Sequence, residues 1–383
     1  MRQVHSRKMT PRQRILNAIR RQPTDRLVVA PFVFLNFVRK FFNDPQVDVV
    51  AKTIEVYQHF GFDIIHRNAR PGYSHIPASN QNWEVKVTKV NGNNCCQETT
   101  EIHTPGGILK QVTQVEERDP FERNMAYLGN VTEYLLKSRQ DFAIFKEYAP
   151  PQNKIDVSEV RRARNLVAEL GIIAPWVQGA FNFVNLFRSM EELFSDPLLD
   201  PGFYTGLMTY FMDRNTEIIR QYVQAGATVL SYGGNVANGR SVGPKFFREF
   251  VLPFEKELVR RIHDMGAMVI YHNCGYAANL YKAYSELDID VFETLTEAPF
   301  GDGDIAEAMA AFEQKSALSG NLDQVNFLLS ASSEEIYKRT ASLVNKIRPY
   351  KHFIVAASDF LETNTPHENV HAFAHAAKDH GEL

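Results

Sequence analysis

Residues 267–275 read AMVIYHNCG, five apolar or aromatic residues that break into His272-Asn273-Cys274-Gly275. An uninterrupted apolar run of this length predicts a buried strand. A His-x-Cys at the end of a strand delivers two soft metal ligands to one point. Histidine and cysteine are also ordinary core residues, so the surrounding chain has to decide between the two meanings.

On either side the same rhythm repeats. Upstream, Ala227–Tyr232 (ATVLSY) predicts a strand and Pro244–Met265 a helix; downstream, Ala277–Leu287 predicts a helix and Asp290–Leu295 (DVFETL) a strand. Further out, Leu27, Asp63, Ile172, Ala317 and Phe353 begin strands, with helices between them at Val49–Phe60, Val157–Leu170, Pro201–Gln224, Asp304–Phe312 and Ser333–Ile347. A last helix is expected at His367–Lys378. Thr10-Pro11 ahead of Ile15, Leu16 and Ile19 predicts a capped helix that covers one end of the fold.

Eight strands alternating with helices predict an α/β fold, the (β/α)8 or TIM barrel. A doubly wound open sheet is the alternative, but no glycine-rich phosphate loop follows the first strand. One region breaks the rhythm. Trp83–Val90 (WEVKVTKV) alternates with period two and runs into Asn91-Gly92, a hairpin signal, with a return strand expected over Thr99–His103. The expectation is a single domain over residues 1–383 with a β-hairpin insertion after strand two, residues 80–117. Cys95 and Cys96 fall inside it. As neighbours on a strand they face opposite sides, which suits structural roles better than shared ligation of a metal.

In a barrel of this kind chemistry collects at the C-terminal strand ends. Those ends carry His66, Gln178, Tyr232 with Gly233 and Gly234, His272 with Cys274, Glu293 with Glu297, Asn321 with Asp323, and Ser358 with Asp359. They are polar where the strands before them are not, which favours His272 and Cys274 as ligands. Phe32, Phe34, Phe37, Phe181, Phe183, Phe187 and Tyr232 lie at or just after strand ends, where they either line an apolar pocket or belong to the core. Asn321 is a candidate substrate contact, or with Asp323 orients a loop or a ligand's surroundings. His367, His371 and His375 share a helix face, but nothing else converges there and the face reads as surface or packing.

Composition closes several doors. The 383 residues are 44% hydrophobic and 23% charged with a net charge of -3, a balance without the basic surplus of a nucleic-acid binder. The longest apolar run, around Leu27–Val38, is interrupted by Pro31 and Asn36 and is too short to span a bilayer. The opening MRQVHSRKMTPRQR shows no secretory signal. Three cysteines make no disulfide framework, and an unpaired Cys274 suits a reducing cytoplasm.

Several stretches together carry a family resemblance: TPRQRILNAIRRQPTDR, EELFSDPLLDPGFY, VGPKFFREFVLPFEKELV, YHNCG, LTEAPFGDGDIAEA, SGNLD and TPHENVHAF. Along nearly its whole length the chain resembles the uroporphyrinogen decarboxylase superfamily, whose fold is a (β/α)8 barrel. True decarboxylases of the superfamily carry an arginine-rich stretch near the N-terminus that binds the acidic arms of a tetrapyrrole. Here the corresponding segment is APFVFLNFVRKFF, poorly suited to a polyanion. Asn235–Gly239 also lacks the acid the family often has there.

The chain resembles instead the methyltransferase branch. There the His-x-Cys binds zinc together with a later cysteine near the last strand. In this chain that later position, ahead of Thr365-Pro366-His367-Glu368-Asn369, is Asp359. The resemblance implies zinc on His272, Cys274 and Asp359, with Glu297 or Glu293 as a fourth ligand. It also implies a corrinoid (cobalamin) carried by a separate protein, a small-molecule methyl donor and a possible homodimer. A carboxylate in place of a thiolate leaves the metal a stronger Lewis acid, which suits an oxygen leaving group. The expected activity is therefore methyl transfer from a small donor, an (aryl) methyl ether, to Co(I). A decarboxylase, a methylcorrinoid:thiol methyltransferase and a barrel that only binds the corrinoid carrier are the alternatives.

Overall fold

The computed structural model describes residues 9–382, apart from 71, 73, 93, 94, 117–120, 122–128 and 351. Residues 1–8 of the charged N-terminal run and Glu117, the expected end of the insertion, lie outside the described residues. The strands in chain order are β1 (Val28–Val29), β2 (Ile64–His66), β3 (Glu84–Asn91), β4 (Cys95–Thr104), β5 (Gly107–Glu116), β6 (Gly129–Glu133), β7 (Gly171–Ile173), β8 (Trp176–Gln178), β9 (Val229–Gly233), β10 (Met268–His272), β11 (Val291–Thr294), β12 (Ala317–Leu322) and β13 (Phe353–Ala357). Each barrel strand starts within two residues of its expected position.

The ladders are parallel. One sheet runs β1-β13-β12-β11-β10-β9-β8 and a second joins β2 to β7, with register partners Ile65 and Ile172. Two places lack continuous pairing. At Ala174-Pro175 the third barrel strand divides into β7 and β8 instead of running unbroken over 171–179, because proline offers no N–H to a ladder. Between β1 and β2 the ring is closed by Asp63. Its N–H donates to Val29 O at 2.9 Å, and its carboxylate accepts from Val29 N, Arg14 and Arg26. The result is a (β/α)8 barrel.

Alternation along the strands sorts the side chains into two layers. Val28, Ile65, Ile172, Val229, Ile270, Val291, Ala317 and Ile354 form one buried cluster in the lower barrel. The helix Pro11–Ile19 plugs it from below with Ile15, Ala18 and Ile19. Thr10 caps that helix as expected, accepting from Gln13 N while the Gln13 side chain returns to the Thr10 N–H. Truncating a plug residue such as Ile15 would cost about 2–5 kcal/mol. The intervening residues, among them Tyr232, Tyr271 and Phe292, face the surrounding helices in the main core.

The insertion is larger than a hairpin. β3 and β4 pair antiparallel as expected, but the reversal falls after the Asn91-Gly92 dipeptide, since Asn91 still pairs with Cys96 and Gly92 N donates to Cys95 O at 2.8 Å, and β5 and β6 continue the sheet in the order β3-β4-β5-β6 as far as Glu133. The signal for the second turn was Thr104-Pro105-Gly106-Gly107, where Gly107 takes a φ of +136° that a side chain would strain. Cys95 is exposed and Cys96 half-buried, both as free thiols.

Candidate metal centre

His272 ends β10 two residues beyond Ile270, so strand alternation carries its ring to the inner face above the apolar plug. The chain then turns on Asn273. Its side chain donates to Tyr284 Oη at 2.7 Å, and its Oδ1 accepts the Gly275 N–H at 3.2 Å, an Asx turn that brings Cys274 back over the barrel. Asp359 stands just beyond β13, and its Oδ1 accepts from Phe360 N at 2.8 Å. Two chain segments 85 residues apart (359 − 274) thus meet at one point. Ligand atoms of His272, Cys274 and Asp359 all lie within 4.8 Å of one another, with His272 Nε2 at 3.8 Å from Asp359 Oδ1.

Behind the histidine stands an acid and a base. Glu293 is the register partner of His272 across β10 and β11, and its Oε1 lies 2.9 Å from His272 Nδ1. Arg67 grips the same carboxylate from the far wall, Nη1 to Oε1 and Nη2 to Oε2, each at 2.6 Å. Burial by itself would raise the Glu293 pKa, but the Arg67 charge, with help from His272, outweighs it and holds the carboxyl down at about 2. Glu293 is therefore an ionised acceptor, so Nδ1 of His272 carries the hydrogen and Nε2 is left to face Cys274 and Asp359.

The cluster itself is short of positive charge. Burial pushes the Asp359 carboxyl up, and only the neighbouring His272 ring and local hydrogen bonds oppose it. For His272, burial opposes the protonated ring, yet Cys274, Glu293 and Asp359 together lift its pKa well above the ordinary value. Two carboxylates and a thiol converging on one ring are offset either by protonation of that ring or by a bound dication. One nitrogen, one sulfur and one oxygen donor, with the histidine oriented by a carboxylate, fit zinc.

The cluster opens on a small pocket lined by Ala30, Phe32, Arg67, His272, Glu293, Thr294, Ser319, Ala356, Ala357 and Asp359. Phe34 sits one ring behind the wall, 5.3 Å from Phe32 and 5.6 Å from Phe360 between centroids.

Other expected site residues fall elsewhere. Glu297 does not join the cluster: its oxygens accept from Asn321 Nδ2 at 2.9 Å and Arg339 Nη2 at 3.0 Å. Asn321 thereby holds a loop and does not line the pocket. Tyr232 lies on the outer face of β9, where its hydroxyl bonds to Glu255, because Ser231 rather than Tyr232 has inward parity. Phe181 is fully buried, stacked on Phe194 in the helical layer. His66 also points outward, with Nε2 2.9 Å from Val50 O. The C-terminal helix histidines pack with His59 and the rings of Phe37, Phe41 and Phe60, and among the described residues they form no ligand cluster.

Sequence reasoning missed Arg67 and Trp176. Strand parity held the signal for Arg67: with Ile65 inward, the residue two further on is inward too. Trp176 packs edge-on to His272 at 5.1 Å, contributed by the strand that Pro175 resets.

A barrel whose C-terminal mouth carries a nitrogen, sulfur and oxygen cluster over an arginine-carboxylate pair defines a class of α/β barrel with a candidate metal centre. A family model for uroporphyrinogen decarboxylase (URO-D) matches residues 130–380, and the chain belongs to that family. It is 25% identical over 173 residues to a Methylated-thiol--coenzyme M methyltransferase of Methanosarcina mazei, an alignment covering 44% of each chain. The match thus spans less than half the length of that relative. To the Methylcobamide:CoM methyltransferase MtbA of the same organism it is 20% identical over 336 residues, covering 85% of this chain and 86% of the relative. The solved structure of a methyltransferase from Methanosarcina mazei superposes with a TM-score of 0.70 at 14% identity, over 97% of this chain and 99% of that one, a likeness of fold.

Proposed function

We propose that this protein is a zinc-dependent corrinoid methyltransferase, the component that takes a methyl group from a small donor and delivers it to the Co(I) corrinoid of a partner protein. The observation that carries the reading is the convergence of His272, Cys274 and Asp359 within 4.8 Å at the barrel mouth. The names of the relatives, which concern methyl groups, cobamides and thiols, support the class. An aryl methyl ether is the donor we favour.

Zinc held by this donor set would supply Lewis acidity toward the donor's heteroatom, harder in character with the Asp359 carboxylate than with a second thiolate. The chain's own residues do the rest. Glu293 fixes the His272 tautomer and ring plane through Nδ1, and Arg67 fixes Glu293. Ala30, Phe32, Ala356 and Ala357 give the pocket an apolar wall that excludes water from the methyl-bearing group. In the same reading residues 1–383 act as one cytoplasmic domain, possible as a homodimer. No helix among the described residues is long and apolar enough to cross a membrane.

Two measurements test the proposal. Purified protein should hold about one zinc per chain, and an active, zinc-free preparation would sink it. A Co(I) carrier protein should become methylated, by its visible spectrum, when mixed with this protein and methoxylated aromatics; methanol, methylamines and methyl thiols are the comparison set. Loss of CO2 from carboxylated substrates, unaffected by chelator, would favour the decarboxylase alternative. Preference for methyl thiols would favour the thiol methyltransferase that the relatives' names describe.

A further inference from the structure

One side chain crosses the barrel axis beneath the cluster. Arg67 follows β2 and reaches Glu293 on β11, four strand positions around the ring and so on the opposite wall. Its guanidinium lies 4.7 Å from the Phe32 ring centroid and 6.0 Å from that of Trp176, and only 4% of the residue is exposed. The planar fork is therefore held in one orientation by packing, and both its terminal nitrogens are spent on Glu293.

Glu293 is the acid that could spoil the site. It lines the same pocket as His272 and Asp359 and stands one hydrogen bond from the histidine. Glu293 sits on the Nδ1 side of His272 while Nε2 faces Asp359, so only a carboxylate freed from Arg67 and turned past the ring would reach a dication there and take the place a substrate needs. Its Oε1 already accepts from Arg67 and His272, and its Oε2 accepts from Arg67, so three of about four acceptor positions are filled. Bidentate arginine-carboxylate pairing is among the stronger and more directional contacts available.

We propose that Arg67 is a positioning residue that keeps Glu293 out of the metal's donor set, so that Glu293 only orients His272 and a place remains open for the methyl donor. The inference rests on reading the cluster as a zinc site.

The test uses cobalt(II) in place of zinc as a visible-absorbing reporter, titrated with imidazole as a neutral probe of the open place. Wild type, Arg67→Met and Arg67→Met/Glu293→Gln are compared. The wild type should change spectrum on binding imidazole. In Arg67→Met the released Glu293 competes, and imidazole should bind at least about tenfold more weakly. The double variant, whose amide cannot compete as a carboxylate does, should return toward the wild-type affinity. A residue that merely packed the core would show no such return. Equal imidazole affinity in wild type and Arg67→Met overturns the proposal, as does a double variant no better than the single. If Arg67→Met does not fold, Arg67→Lys takes its place, since an ammonium holds one carboxylate oxygen at a time; a folded Lys variant with wild-type imidazole affinity counts against the proposal. A wild type that takes up no metal fails the zinc reading itself, and the wild-type arm alone reveals that.

Discussion

Nδ1 of His272 and Oε1 of Glu293 lie 2.9 Å apart on residues that are also register partners across β10 and β11. Backbone pairing and side-chain hydrogen bond thus specify the same geometry, and the imidazole has one tautomer and one plane. Glu293→Gln keeps the shape but loses the charge that favours Nδ1–H. Zinc affinity should fall about 10- to 100-fold, read by competition with a chromophoric chelator.

In the proposed zinc site Asp359 would set the hardness of the metal. Asp359→Ala leaves two protein donors and should lose its metal on dialysis against a mild chelator. Asp359→Cys should keep the metal while shifting preference from ether to thioether donors, because a second thiolate softens the ion. Unchanged donor preference in a metal-loaded Asp359→Cys protein would remove the reason for favouring an ether.

Asp63 holds the barrel closed. Its carboxylate, 2% exposed, meets Arg14 at 2.9 Å and Arg26 at 2.8 Å and accepts the Val29 N–H at 3.0 Å, at the one seam where adjacent barrel strands share no ladder. Asp63→Ala removes the acceptor of the Val29 N–H and one acceptor of Arg26 and leaves Arg14 with Asp25 alone, and should destabilise the fold by about 1–3 kcal/mol in urea denaturation.

His263 gives a pH signature away from the site. Its Nε2 lies 2.9 Å from Asp290 Oδ2, and that hydrogen bond, with the charges of Asp290, Asp288 and Asp264, raises its pKa above 6.5 despite partial burial. A histidine pKa raised on folding stabilises fully below the unfolded value and loses that contribution as pH rises through the folded value. His263→Gln should therefore cost stability at pH about 6, by no more than about 1 kcal/mol because the side chain is partly exposed, and cost nothing near pH 9. Denaturation midpoints of both proteins at the two pH values provide the comparison.

Much of this protein is legible in its residues. Strand starts could be read to within two residues because barrel strands are short apolar runs bounded by capped helices, and the Thr10 cap and the β3-β4 pairing are local chemistry. His272 and Cys274 could be singled out because two ligand types two residues apart at a strand end are rare company. Asp359 came from resemblance. What the sequence left open was parity and distance. Tyr232 and His66 sit at strand ends yet face outward, since shifting one residue along a strand changes the face. Whether Asp359 meets His272 depends on how eight strands close, a relation between segments far apart in the chain. The same closure brings Arg67 to Glu293 across the axis, a contact spanning 226 residues that no local pattern encodes. Sequence by itself determined the barrel and two of the three cluster residues, His272 and Cys274; tertiary structure decided that Asp359 meets them and that Glu293 pairs with Arg67, because only packing across the barrel assigns each carboxylate its partner.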